Sequence, residues 1–174
     1  MSARIRKTVV PAKNSPKSQA TRARIMQTAT DFISERGSTD FQMNEISERC
    51  NLSKGSLYYY FVDKAGLLDA IFDQVIGDLA VQVEAAVEFS PASFEAIAKI
   101  VMTLVKCIRV DRPLVFAMAK ELFLSPAADA ASADKRFARV LDLLEFHLDQ
   151  AKGEGLLVSG LDSRLTANAI AGAC

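Results

Sequence analysis

The stretch SKGSLYYYF, Ser53 to Phe61, holds all three tyrosines of a 174-residue chain. Three consecutive positions cannot all face inward from a helix or from a strand. Some of these rings are therefore placed for something outside the core. On a helix, positions 58, 59 and 60 fan out in steps of about 100°. Leu57 and Phe61, four apart, share the inward face, and the tyrosines lie beside or opposite it. Ser53 is a good N-cap for this helix, which the spacing predicts to run to Tyr60 or Phe61.

Upstream, Met43, Ile46 and Cys50 fall on one face of a short helix, and Asn51 stands where a left-handed residue would end it. The two short helices, joined by Cys50-Asn51-Leu52-Ser53, make a helix-turn-helix pattern. That geometry lays the second helix in a DNA major groove while the first braces it. Small Ser47 and apolar Ile46, Leu52 and Leu57 suit the crossing of two short helices. Ser53, Lys54, Gly55 and Ser56 open the recognition helix, and Gly55 lets another backbone come close. Tyrosine hydroxyls can donate to phosphate oxygens, and the rings can touch bases or thymine methyls. The plainer alternative makes the tyrosines partly buried spacers between helices, and Tyr60 is the one that packing suits best.

Further out, Ile25, Ala29, Phe32 and Ile33 recur at helical spacing from about Ser18 to Arg36-Gly37, a cation followed by a glycine stop. Residues 1–17, with Pro11, Pro16 and scattered Lys and Arg, read as a flexible basic arm. Asp63 can cap a long fourth helix reaching about Glu88, with a wide apolar stripe from Leu67 to Val83. Helices follow over about 93–109, 113–124 and 133–153, and a last one begins near Asp162. No convincing strand and no internal repeat stands out.

The segments TRARIMQTATDFISERG and MNEISERCNLSKGSLYYYFVDKAGLLDAIF, within residues 21–75, resemble the DNA-binding domain of the tetracycline-repressor-like (TetR) family of bacterial transcriptional regulators. The likeness covers about a third of the chain. It implies an all-α fold. An N-terminal three-helix DNA-binding domain (18–66) is joined by the long fourth helix to a larger helical ligand-binding and dimerisation domain (67–174). It implies that Lys54, Ser56 and Tyr59 read bases or nearby backbone. Tyr58, Tyr60 and Lys64 would grip phosphates. Gln42 stands where the family usually has Thr or Ser; it is a poorer cap that can still reach a phosphate. Arg22 and the arm from Arg4 to Lys17 would enter the minor groove or add nonspecific affinity.

The resemblance also implies a homodimer on operator DNA, released by a small-molecule effector. Phe72, Met102, Phe116, Met118, Phe123 and Phe146 are large apolar residues on predicted helices that could line an effector cavity. The plainer reading makes each of them ordinary core. His147, the one histidine, could orient a ligand, although such a residue is more often a surface or satisfied core histidine. The family dimerises through its last two helices. The abrupt end at Cys174 leaves either a truncated chain or heavier use of the Lys135–Gln150 helix in the dimer.

Charge supports a polyanion partner at one end. Residues 1–66 carry eleven Lys/Arg against six Asp/Glu, and residues 67–174 carry ten against fifteen. A net charge of zero therefore hides +5 and −5 halves. Cys50, Cys107 and Cys174 have neither disulfide-scaffold nor zinc spacing, which fits a reducing cytoplasm. No apolar run approaches the ~20 residues needed to span a bilayer. One histidine, no metal-ligand cluster, no phosphate loop and no nucleophile motif argue against an enzyme, and no cofactor or metal is expected. The expected function is thus a ligand-responsive DNA-binding regulator, most often a repressor released by a small apolar effector. The alternative is a helical small-molecule-binding protein with weak or nonspecific DNA binding.

Overall fold

The computed structural model describes residues 15–90, 93–110, 112–124 and 130–173, without the side chains of 110, 121–136 and 173. The arm before Ser15, the Phe123 side chain and Cys174 lie outside the described residues. Among the described residues eight helices follow in order: α1 (Pro16–Arg36), α2 (Met43–Arg49), α3 (Lys54–Tyr60), α4 (Lys64–Val87), α5 (Ser93–Val110), α6 (Arg112–Leu124), α7 (Ala130–Gly153) and α8 (Ser163–Ala173). No strand occurs among the described residues, and no described helix is long and apolar enough to cross a membrane.

Helix α1 starts at Pro16, two residues before the sequence-based start at Ser18. The signal is local. Pro16 sits at the first helical position, where its missing N–H costs nothing, and the Ser15 hydroxyl accepts from Ser18 N–H at 3.2 Å. The helix ends on Gly37, whose φ of 64° is left-handed and whose N–H donates to Ile33 O at 2.8 Å. Asn51 takes a φ of 49° at the turn between α2 and α3. There Leu52 N–H donates to Ser47 O at 2.8 Å, closing the corner. Asp63 caps α4 by accepting from Gly66 N–H at 2.8 Å.

Two apolar clusters meet along α4. The first gathers Ile25, Ala29, Phe32 and Ile33 of α1, Met43 and Ile46 of α2, Leu57 of α3, Phe61, and Leu67 to Ile76 of α4. It also takes Leu114, Ala117 and Met118 from α6, so a helix of the second half closes the head's core. The second cluster packs Ala80 and Val83 of α4 against Ile100 and Leu104 of α5, Val140, Leu141, Leu144 and Leu148 of α7, and Ala167 of α8. Polar bonds fasten α8 to α7. Arg164 donates to Asp142 at 2.6 Å and to Glu145 at 3.1 Å, and Ser163 donates to Asp149 at 2.6 Å.

Candidate nucleic-acid interface

The candidate interface centres on α3, whose inner side is pinned. Leu57 and Phe61 are buried in the head core, which fixes the rotation of a helix only seven residues long. Such a helix would not persist alone. Ser53 Oγ accepts from Ser56 N–H at 3.1 Å and lies 2.8 Å from Ser56 Oγ. These two serines thus hold the helix start, and both hydroxyls are engaged there. Lys54 and Gly55 follow on the exposed side. A Cβ on Gly55 would meet no atom of the protein, so the fold itself has no need of glycine at that position.

The three tyrosines divide as their spacing predicts. Tyr58 and Tyr59 are 48% and 38% exposed. Tyr60 is half-buried, accepts from the Ser18 hydroxyl of α1 at 3.4 Å, and meets the Tyr59 ring edge-on at 5.2 Å. Tyr60 therefore packs against Tyr59 and α1.

The other predicted contact residues lie on α1, at the start of α2 and at the start of α4. Lys64 opens α4 with its Nζ 4.9 Å above the Phe41 ring. Arg22 lies over Phe61 at 5.0 Å and donates to Met26 Sδ at 3.1 Å. Gln42 is exposed at the start of α2, and its N–H donates to Glu45 at 2.7 Å. Its weak capping is offset from the other end of the turn. Glu45 also takes Arg36 at 2.6 Å, and these bonds, the Arg36 one first, lower its pKa to about 2.

The Arg36 and Arg49 guanidiniums each lie over the Phe32 ring, at 4.6 and 4.1 Å, and pair with Glu45 and Glu35. These cations belong to the α1–α2 junction. Lys54, by contrast, has no ion-pair partner among the described residues.

A cavity of about 500 Å³ lies beyond the head, between α4, α5, α6, α7 and α8. Val75, Leu79, Leu104, Ile108, Val115, Met118, Phe137 and Leu141 line most of it, with Asp78, Gln82, Lys106 and Cys107 at polar points. Of the predicted lining residues, Met118 is there. Phe72 is instead buried in the head core, and Met102, Phe116 and Phe146 are exposed. Aliphatic residues on facing stripes, with Met118 and Phe137, form most of the wall. Nothing in their spacing separates cavity wall from packed core.

His147 is not on this wall. It stands edge-on to Phe146 at 5.2 Å, its Nδ1 is buried without a hydrogen-bond partner among the described residues, and burial lowers its pKa. No group of three or more potential metal ligands occurs among the described residues.

Comparison with known proteins agrees with this geometry. Residues 25–71, from mid-α1 to α4, match the family described as bacterial regulatory proteins, tetR family. The HTH-type transcriptional regulator UidR of Escherichia coli K12 is 39% identical over 56 residues, 32% of this chain and 29% of UidR. The fatty acid metabolism regulator protein of Bacillus subtilis is 23% identical over 148 residues, 85% of this chain and 76% of that protein. The fold matches the crystal structure of the transcriptional regulator FadR from Bacillus subtilis, solved in complex with stearoyl-CoA. The TM-score is 0.75 at 23% identity, covering 86% of this chain and 81% of that one. The helix-turn-helix head of this chain thus matches the tetR family of bacterial regulatory proteins over residues 25–71, and the helices that follow it share the fold of FadR.

Proposed function

We propose that the protein is a ligand-responsive transcriptional repressor that binds operator DNA as a homodimer and leaves it when an apolar effector enters the cavity between α4 and α8. The observation that carries DNA binding is the exposed Lys54-Gly55 and Tyr58-Tyr59 face, set outward by buried Leu57 and Phe61. Lys54 and the tyrosine hydroxyls serve phosphates, and the Tyr59 ring serves base edges. Two such heads must stand about 34 Å apart to enter successive major grooves.

The cavity supplies the other half of the mechanism. Helix α4 begins just after α3, and its Val75, Ile76 and Leu79 line the cavity about three to four turns later. An effector that fits the cavity better when the heads are splayed shifts the population by its differential affinity for that state. The FadR structure bound to stearoyl-CoA supports an effector with a long aliphatic chain. The cytoplasm, where DNA is found, is the compartment this reading requires.

Fluorescence anisotropy on DNA flanking the protein's own gene, against random competitor and across a salt series, tests the reading. Specific binding that Tyr59→Ala weakens about tenfold or more would support base contact by Tyr59. Equal binding to random DNA, unaffected by Tyr59→Ala, would favour the weak or nonspecific binder instead.

A further inference from the structure

A second opening lies between the head and the body. It measures about 560 Å³ and is lined by Ala23, Arg24, Met26, Gln27 and Thr30 of α1, Ile71, Gln74 and Val75 of α4, and Leu114 of α6. Its relation to the apolar cavity is direct. Val75 lines both, and the adjacent α6 residues Leu114 and Val115 line one each. The two spaces thus share one side chain of α4 and border on neighbouring residues of α6.

Their chemistry differs. The cavity is mainly apolar, and the charged residues on its wall, Asp78 and Lys106, are of opposite sign. The groove carries Arg24, Gln27, Thr30 and Gln74 and no carboxylate among its lining residues. Arg24 is exposed and has no ion-pair partner among the described residues. Asp31 is close by, accepting from Gln27 Nε2 at 2.8 Å. An unpaired guanidinium with neighbouring amides and a hydroxyl suits a carboxylate or phosphate.

We infer that this groove is a second ligand subsite, holding the anionic end of an amphiphile whose apolar chain passes Val75 into the cavity. The inference rests on the cavity being the effector site. It adds a regulatory consequence. Arg24 belongs to α1 of the DNA-reading head, whereas most of the cavity wall belongs to the body. A ligand held at both ends sets the spacing of head and body. The polar end then drives DNA release while the chain supplies affinity.

Isothermal titration with decanoate and with decan-1-ol separates the two ends of the ligand at one chain length. The wild-type protein is expected to bind decanoate about tenfold more tightly than decanol. Arg24→Gln should erase that difference and leave decanol binding unchanged. Lys106→Gln should preserve it. Ile108→Trp, or Val115→Phe should the first variant fail to melt cooperatively, should abolish binding of both probes by filling the cavity. Decanoate affinity that survives Arg24→Gln, or that falls in Lys106→Gln instead, overturns the groove subsite and leaves the cavity reading standing. Failure of both probes to bind wild type, or binding unaffected by the cavity-filling variants, overturns the cavity reading and this inference with it.

Discussion

At the scale of single residues, Gly55 is the most informative position. Its φ is not left-handed, and a Cβ there would meet nothing in the protein. Folding therefore gains nothing from glycine, which costs helical stability relative to alanine. Open space on the face that carries Tyr58 and Tyr59 makes sense if another molecule approaches it. Gly55→Ala is expected to leave the melting temperature unchanged or raise stability by up to about 1 kcal/mol. Operator affinity should fall about tenfold or more, about 1.4 kcal/mol. Thermal melting and anisotropy on the same preparation check the pair. A variant that loses stability and DNA binding together would assign Gly55 to the fold. Asn51 and Gly37 are the opposite case: both hold left-handed backbone, so the residue type at each position answers to the turn and not to a partner.

At the scale of elements, α2 is held by its first turn. Glu45 accepts from Gln42 N–H and pairs with Arg36, tying the start of α2 to the last turn of α1. Its pKa is lowered from 4.5 to about 2, so the folded state favours the carboxylate. Such a group stabilises fully above its unfolded pKa and loses that contribution as pH falls through the folded one. The stability gap between wild type and Glu45→Gln should stay constant from pH 7 to about 5. It should close as pH falls from 4.5 towards 2. Urea melts of both proteins across that range read it directly. A gap independent of pH would mean that the Arg36 pair is screened away, as exposed pairs can be.

At the scale of the whole molecule, the head is completed from outside its own sequence. Leu114 is buried in the head cluster although it belongs to α6, more than 50 residues after α3 ends. Leu114→Ala should cost about 2–5 kcal/mol. The loss should appear in α1 as well as in α6, and hydrogen exchange resolved by helix measures where it falls. Faster exchange confined to α5–α8 would show that α6 supports the body alone. The same packing gives the proposed effector response a physical route from the cavity to the head. Met118 sits in the head cluster and on the cavity wall, so its displacement is felt on both sides.

Much of the head was legible in the sequence because its signals are short-range. A cap, a left-handed residue or a glycine stop acts through hydrogen bonds and φ preferences within about four residues, as Ser53, Asp63, Asn51 and Gly37 do. The outward Tyr58 and Tyr59 follow from helical geometry with Leu57 and Phe61 as the inner pair. The early start of α1 was legible too, in Ser15-Pro16, but was hidden by reading that proline as part of an arm.

What only the tertiary structure decided depends on which surface lies opposite. Periodicity shows that a helix has an apolar face, not what covers it. Hence Met102, Phe116 and Phe146, chosen for size, proved exposed, while Val75, Leu104 and Ile108 line the cavity. The Tyr60–Ser18 contact spans 42 positions, and the groove at Arg24 exists only because α1, α4 and α6 converge there. Such convergence is set by the packing of whole faces, and no local spacing encodes it.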